Sequence, residues 1–206
     1  MNGLSFQNII FDLGNVIVRL DSEGCKKAFA QLGLGPFLDP KSHPEGLELA
    51  HRFGLGLIGT GEFLDGMRRL SGRPVTDGQL AAAANAMLAD VPEQKLDTLL
   101  RLRATGKRVF LLSNTNDLHW DECAGRWFNT RGHSVSDYFD GVFLSQRMHL
   151  EKPDPRIFKE VERLAGVAPH ETLFVDDLAE NCKAAEQAVG WTTFTNTGFD
   201  DWMALF

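Results

Sequence analysis

The segment QNIIFDLGNV, residues 7–16, places a carboxylate directly after a short run of apolar residues. The run QNIIF, residues 7–11, predicts a buried strand because it is short, apolar and partly β-branched. In an open parallel sheet, ligands bind outside the carboxyl ends of the strands. Asp12 is therefore the first candidate for a functional side chain.

Strand-like and helix-like segments alternate along much of the remaining chain. Further apolar, β-branched runs predict strands at residues 16–20, 107–112, 141–145, 172–176 and 191–195. Apolar residues at helical spacing predict helices at residues 93–105, 154–166 and 178–189. Strands that alternate with helices are typical of a parallel sheet with right-handed crossovers. The sequence therefore predicts an α/β fold.

Residues 21–90 interrupt this alternation. They show helix signals alone, with glycine and proline at the joints, and predict helices at residues 22–33, 45–54, 61–71 and 77–89. We therefore expect two units: an α/β core formed by residues 1–20 and 91–206, and a small all-helical domain formed by residues 21–90. The hinges between them are expected near residues 19–22 and 88–93.

The composition excludes several functional classes. The formal net charge of −7 disfavours a nucleic-acid partner, because an acidic surface repels phosphate backbones. No stretch approaches the roughly 20 apolar residues of a membrane span. The isolated cysteines, Cys25, Cys123 and Cys182, argue against a disulfide framework or a structural zinc site. We expect a cytoplasmic protein without a membrane partner, either a monomer or a homodimer.

Polar side chains follow several of the predicted strands. In chain order they are Asp12, Ser113 with Asn114, Lys152, and Asp176 with Asp177. Because the carboxyl ends of parallel strands meet at one edge of a sheet, we expect these groups to converge. The set suits phosphoryl transfer: a carboxylate can attack phosphorus, a hydroxyl and a lysine can bind phosphate oxygens, and Mg²⁺ can offset the clustered negative charge.

Four short motifs occur in order at these strand ends: FDLGNV at 11–16, LLSN at 111–114, KPDPRIF at 152–158, and FVDD at 174–177 followed by Asn181. With them the sequence resembles the haloacid dehalogenase-like hydrolases over nearly its whole length. The helical insertion after the first motif resembles the C1-type cap of that family. The resemblance implies a Rossmann-like three-layer core with a helical cap, and hydrolysis of a small phosphorylated metabolite with Mg²⁺ as the cofactor.

The resemblance implies a nucleophile and a set of metal ligands. Asp12 would form an aspartyl-phosphate and also bind Mg²⁺, and the backbone carbonyl of Gly14 would be a second ligand. Asp177 would bind Mg²⁺ directly, and Asp176 directly or through water. Either of these two aspartates could also cap the helix that follows.

The resemblance also implies the groups that bind phosphate. Ser113 would hydrogen-bond the phosphate, with Asn114 beside it. Lys152 would offset charge on Asp12 and on the phosphate. Asp12, Ser113 and Lys152 are thus the expected catalytic residues.

The first motif differs from the phosphatases of this family at one position. They usually carry a second aspartate two positions after the nucleophile, which protonates the leaving group and later activates water, whereas this sequence has Gly14. General acid–base catalysis is worth about 10²–10⁴-fold, and an acidic leaving group needs it least. The DLGNV form also resembles bacterial members that act on α-glucose 1-phosphate. We therefore expect a sugar 1-phosphate as the substrate.

Two other functions are compatible with the sequence. Gly14 is compatible with a catalytically weak or inactive member that binds a phosphorylated metabolite or a protein partner. Dehalogenases of the same family also lack the second aspartate and attack carbon without a metal. They generally lack the paired acidic motif, which is intact here as Asp176-Asp177, so metal-dependent phosphate chemistry is favoured.

A few charged residues outside the motifs are further candidates. His119 follows the second motif and could reach the leaving group, although a packed or solvent-exposed histidine is the more common arrangement. His51, Arg52 and Arg19 could face the cleft between the two units, although solvated side chains are again the more common arrangement.

Overall fold

A parallel sheet forms the centre of the protein. The computed structural model describes residues 2–35 and 44–206. The strands in these ranges are β1 (Asn8–Phe11), β2 (Arg19–Leu20), β3 (Leu88–Asp90), β4 (Arg108–Ser113), β5 (Gly141–Leu144), β6 (Thr172–Asp176) and β7 (Thr192–Thr195). The central sheet has the order β5-β4-β1-β6-β7, with every pair parallel. The predicted α/β fold is confirmed, as are the predicted strands that correspond to β1 and β4–β7.

Helices account for most of the rest of the described chain. They are α1 (Ser22–Gln31), α2 (Pro44–Gly54), α3 (Thr60–Ser71), α4 (Asp77–Asn85), α5 (Glu93–Ala104), α6 (Asp117–Cys123), α7 (Val135–Tyr138), α8 (Ser145–Met148), α9 (Pro155–Ala165) and α10 (Ala179–Val189). Helices α5, α9 and α10 confirm the predictions at 93–105, 154–166 and 178–189. The short helices α6, α7 and α8 lie where the sequence predicted no helix.

Helices cover both faces of the sheet. Because successive side chains of a strand point to opposite faces, Ile9 and Phe11 of β1 pack in one hydrophobic cluster and Ile10 packs in another. The first cluster includes Leu99 of α5, and the second includes Phe158 of α9. The core therefore has the three layers that were predicted, with β1 at its centre.

Helices α1 to α4, called the helical unit below, have a hydrophobic cluster of their own. Within it, Phe53 of α2 stacks on Phe63 of α3 with ring centroids 4.3 Å apart. These helices correspond to the four predicted between residues 22 and 89. Helix α4 ends at Asn85, earlier than predicted, because Leu88–Asp90 form β3 instead.

The predicted strand at residues 16–20 is wrong for most of its length. Only Arg19 and Leu20 are extended, as β2, and they pair antiparallel with β3 outside the main sheet. The preceding residues form a tight loop, because the amides of Ile17 and Val18 both donate to the Leu13 carbonyl, at 2.9 and 2.8 Å. These local hydrogen bonds override the β-propensity of the segment. Through β2 and β3, the two connections between the sheet and the helical unit run side by side.

Two observations bear on the exclusions made from the sequence. Among the described residues, no helix combines the length and apolar character needed to cross a membrane. The three cysteines are buried free thiols.

Candidate active site

Three acidic residues meet at the carboxyl edge of the sheet. Asp12 directly follows β1, and Asp176 and Asp177 lie at the end of the adjacent β6. Phe11 pairs with Val175 across the two strands, so the next residues, Asp12 and Asp176, are level. One carboxylate oxygen from each of the three acidic residues lies within 4.8 Å of the others. Parallel pairing thus brings together carboxylates from distant parts of the sequence.

Lys152 lies between two of these carboxylates. Its Nζ donates to Asp12 Oδ1 at 2.8 Å, to Asp176 Oδ2 at 2.7 Å and to the Leu112 carbonyl at 3.0 Å. The side chain is buried, so these three acceptors replace water around the ammonium. The ammonium thus bonds two of the three carboxylates of the cluster.

Burial and charge together set the protonation of this cluster. Burial raises the pKa of Asp12 to about 7, with Lys152 acting against the rise and Asp176 adding to it. Burial also raises the pKa of Asp177. Burial disfavours the charged form of Lys152, but the charges of Asp12 and Asp176 outweigh it and raise the pKa of the ammonium. The lysine stays charged, and the excess negative charge of the site favours a cation.

Hydrogen bonds hold Asp176 and Asp177 in different ways. Asp176 Oδ1 accepts from Asn181 Nδ2 and from the Leu178 amide, both at 2.9 Å. Asp177 Oδ2 accepts from Asn15 Nδ2 at 3.2 Å. Asp176 is buried and also supports the turn before α10, whereas Asp177 is partly accessible. Of the two, Asp177 is therefore better placed to meet a ligand that enters from outside.

Ser113 is the last residue of β4 and Asn114 follows it, but their side chains have different surroundings. Ser113 is buried at the end of the strand and lines the cavity described below. Asn114 Nδ2 donates to the Lys152 carbonyl at 2.8 Å, and Asn114 Oδ1 accepts from the Lys152 amide at 2.9 Å. The Asn114 amide thus holds the loop that carries Lys152, and its expected contact with phosphate stays a prediction.

A cavity of about 340 Å³ lies between this edge and the helical unit. Gly14 and Ser113 line its sheet side, and His51 of α2 lines the opposite side. At position 14, a Cβ would lie 2.8 Å from Leu20 Cδ1. A larger side chain there would therefore require Leu20 to move.

Hydrogen bonds attach the helical unit to the core beside this cavity. The Ser145 hydroxyl donates to the Gly54 carbonyl at 2.7 Å, and His149 Nδ1 lies 2.8 Å from the Leu55 carbonyl. Both contacts join the end of α2 to the region of α8. The helical unit is therefore held against the core next to the candidate site.

His51 and Glu151 form a further contact between the two units. His51 Nε2 lies 3.0 Å from Glu151 Oε1, and both residues line the cavity. His51 thus faces the cleft. Arg52 and Arg19 instead pair with exposed carboxylates. Glu151 directly precedes Lys152 in the chain.

His119 is part of the cavity wall and has its ring nitrogens engaged. His119 Nε2 lies 3.0 Å from the Ala84 carbonyl, and because a carbonyl only accepts, this nitrogen carries the hydrogen. Its Nδ1 faces Asn116 Nδ2 at 3.2 Å and accepts from it. Burial lowers the pKa of His119. Burial therefore favours the neutral ring, and both of its nitrogens are occupied by these contacts.

The loop after β1 is fixed by residues outside the motifs. The Val16 carbonyl accepts from Lys95 Nζ at 2.5 Å and from Trp202 Nε1 at 2.8 Å. Asn196 Nδ2 donates to the Asn15 carbonyl at 3.1 Å. The sequence did not predict these three hydrogen bonds. The aromatic residues between 199 and 206 were the one indication that this segment packs on the core.

The fold and the site together are those of an α/β enzyme that carries a buried lysine and an acidic cluster at the strand ends. The chain belongs to the haloacid dehalogenase-like hydrolases, whose family model matches residues 6–188. The resemblance indicated by the four motifs is thereby confirmed.

Three relatives share most of the length of the chain. A D-ribitol-5-phosphate phosphatase of Bacteroides thetaiotaomicron is 35% identical over 95% of this chain and 94% of its own. A haloacid dehalogenase family enzyme from the same organism, crystallised with magnesium and inorganic phosphate, is 41% identical with a TM-score of 0.90, over 98% of this chain and 99% of its own. A predicted hydrolase of the family from Porphyromonas gingivalis is 32% identical with a TM-score of 0.81, over 92% and 90% respectively.

Proposed function

We propose that this protein is a Mg²⁺-dependent phosphatase that hydrolyses a small phosphomonoester through an aspartyl-phosphate on Asp12. The position of Lys152 carries the proposal, because its ammonium bonds both Asp12 and Asp176 within the acidic cluster. A buried lysine beside a carboxylate nucleophile can offset the charge that builds up when phosphate is bound. The two Bacteroides relatives support this reading, one by its activity and one by its ligands.

Mg²⁺ fits the donor set. Three carboxylates and one ammonium leave an excess of negative charge, and Mg²⁺ prefers one or two carboxylates together with phosphate oxygens and water. We assign Asp12, Asp177 and the Gly14 carbonyl as ligands, and Asp176 as a ligand directly or through water. When bound, the cation offsets the negative charge of the cluster and of the phosphate.

Asp12 would carry the phosphoryl group between two displacements. A carboxylate oxygen of Asp12 attacks phosphorus, and the bond to the leaving-group oxygen breaks with its electron pair on that oxygen. Water then attacks phosphorus, which breaks the bond to Asp12 and releases phosphate. Ser113 would bind a phosphate oxygen. Asn114 would act indirectly, by holding the backbone of Lys152.

The proposed substrate is the phosphate ester of a primary alcohol in a small polyol. The relative that acts on D-ribitol 5-phosphate supports this class, and it replaces the sugar 1-phosphate expected from the sequence. The cavity of about 340 Å³ lies in the size range of small-molecule sites. Its wall includes His51, Asn116 and Glu151, which can hydrogen-bond hydroxyl groups.

We further propose that residues 21–90 act as the cap of this site. The helical unit forms one wall of the cavity and contacts the core through Ser145 and His149. A cap in this position would exclude water while the ester is cleaved.

The test is phosphate release from D-ribitol 5-phosphate, glycerol 3-phosphate, glucose 1-phosphate and p-nitrophenyl phosphate. Each substrate is assayed with Mg²⁺ and with a chelator, using the wild type and Asp12→Asn. We expect turnover that needs both the metal and Asp12, with D-ribitol 5-phosphate preferred over glucose 1-phosphate.

Other outcomes would contradict the proposal in distinct ways. Binding of these phosphates without turnover indicates a non-catalytic binding protein. Halide release from 2-haloacids without metal indicates a dehalogenase. A preference for glucose 1-phosphate restores the substrate class expected from the sequence.

A further inference from the structure

The proposed reaction needs a proton donor that the first motif does not supply. If the substrate is a primary alcohol ester, as proposed above, its leaving group is a strongly basic alkoxide that must be protonated as it departs. Gly14 has no side chain for this task. The donor must therefore come from another group that faces the cavity.

The described residues that line the cavity offer few titratable side chains: His51, His119 and Glu151. His119 is unsuitable because its Nε2–H is committed to the Ala84 carbonyl and its Nδ1 faces an amide donor. His51 differs, since only its Nε2 is engaged, with Glu151 Oε1 at 3.0 Å. Within the described ranges, no partner is recorded for His51 Nδ1.

The His51–Glu151 contact has the arrangement of a proton-transferring pair. A carboxylate that accepts from one imidazole nitrogen fixes the ring orientation and stabilises the protonated ring. Both side chains are about half exposed, at 50% and 41%, and both face the cavity that also contacts Gly14 and Ser113. The pair can therefore meet a ligand that occupies this space.

We propose that His51, held by Glu151, is the general acid and base that takes the place of the side chain missing at Gly14. In the first step, the bond from phosphorus to the leaving oxygen breaks, its electron pair stays on that oxygen, and the proton on His51 Nδ1 moves to it. In the second step, the neutral His51 Nδ1 accepts a proton from the water that attacks phosphorus, and the bond to Asp12 breaks. One water is consumed and His51 returns to its starting state.

This assignment links catalysis to the contact between the two units. His51 belongs to α2 of the helical unit, whereas Glu151 belongs to the core next to Lys152. The pair is complete only when α2 is docked, and the Ser145 and His149 contacts keep it docked. The helical unit thus supplies a reacting group as well as a wall.

The test compares two leaving groups. D-ribitol 5-phosphate releases a basic alkoxide, while p-nitrophenyl phosphate releases a phenolate that leaves without a proton. We compare kcat/KM, which covers the steps up to departure of the leaving group and leaves out hydrolysis of the common phosphoenzyme. We expect His51→Gln to lower kcat/KM on the polyol phosphate by about 10²–10⁴-fold and on the aryl phosphate by less than about tenfold. Glu151→Gln is expected to show the same selectivity between the two substrates with a smaller loss.

Arg52→Gln is the matched control, because Arg52 is next to His51 on α2, pairs with the exposed Glu62 and does not line the cavity. We expect it to affect both substrates to the same extent. Thermal unfolding of each variant identifies any loss of folding, and Glu151→Gln then decides the question if His51→Gln is unfolded.

Two results would overturn the inference while leaving the proposed function intact. One is equal loss on both substrates in His51→Gln and Glu151→Gln. The other is wild-type turnover of D-ribitol 5-phosphate in these variants while Asp12→Asn is inactive. A wild type that hydrolyses no phosphate ester at all instead removes the proposed function and this inference with it.

Discussion

Asn114 and Lys152 are joined by two hydrogen bonds that close a ring between the end of β4 and the loop after α8, at 2.8 and 2.9 Å. The Lys152 side chain then extends to Asp12 at 2.8 Å. The asparagine thus places the lysine backbone so that a buried ammonium meets the carboxylate. We therefore infer a positional role for Asn114, which stands directly beside Ser113.

Replacement of Asn114 by alanine should therefore reduce catalysis through Lys152. We expect kcat to fall about 10²-fold, because a displacement of about 1 Å in a catalytic group has effects of this size. KM for the phosphate ester should change much less. Asn129→Ala is the control, since it also removes a side-chain acceptor for a backbone amide, that of Val135, but lies outside the site. Equal losses in the two variants would contradict this role.

The buried Asp12 carboxyl should make the metal-free protein less stable as pH rises. Its pKa is raised from 3.8 to about 7 in the folded state, so between these values the folded protein binds a proton that the unfolded chain has released. The stabilisation is complete below about pH 4 and is lost as pH rises through about 7. Asp12→Asn should lack this dependence and should be more stable than the wild type at pH 8.

Urea unfolding of both proteins at pH 5 and pH 8, with and without Mg²⁺, measures this effect. Mg²⁺ should stabilise the wild type at pH 8 and stabilise Asp12→Asn much less. A parallel loss of stability with pH in both proteins would show that groups other than Asp12 are responsible.

The stability that His119 contributes should depend on pH in the opposite direction. Its pKa is lowered from 6.5 by burial, so the unfolded chain binds a proton at a pH where the folded protein does not. The stability that His119 contributes is present above about pH 6.5 and is lost as pH falls toward the lower folded pKa. His119→Gln should weaken this acid sensitivity. Histidine NMR should find that the His119 ring titrates below its ordinary pKa of 6.5, and titration at or above that value would refute the assignment.

Trp202 should stabilise the loop after β1 through its indole N–H. Trp202→Phe removes the donor at 2.8 Å from the Val16 carbonyl and leaves space in a fully buried site. We expect a loss of about 1–3 kcal/mol in the free energy of unfolding. Trp127→Phe, at a partly exposed ring beside Arg126, should cost less than about 1 kcal/mol. Similar losses in both would argue against a special role for Trp202.

The sequence predicted the parts of the fold that depend on local pattern. Residues 7–11 and 172–176 are apolar runs long enough to identify buried strands, and strand ends then located Asp12 and Asp176. The strand predicted at residues 16–20 is wrong at residues 16–18. Their β-branched side chains favour a strand, but the amides of Ile17 and Val18 bond the Leu13 carbonyl and form a loop instead. Helices α6 to α8 were missed because four to seven residues are too few to show a periodic pattern.

Pairings between distant residues could not be predicted from the sequence. His51 and Glu151 are 100 residues apart, and their contact depends on how α2 docks on the core. The direction of the Asn114 amide likewise follows from the position of the 152 loop. Such contacts come from tertiary packing, which secondary-structure propensity and hydrophobic periodicity do not predict.

The support of the Val16 carbonyl by Trp202 has a consequence for synthesis of the chain. A ribosome makes the loop that carries Asp12 well before the indole that anchors it, which follows roughly 190 residues later. During translation the loop is therefore incomplete until nearly all of the described chain has left the exit tunnel. A product terminated at residue 195 would contain all four motifs and still lack this anchor, so such truncated products should be sensitive to proteases and poor in activity.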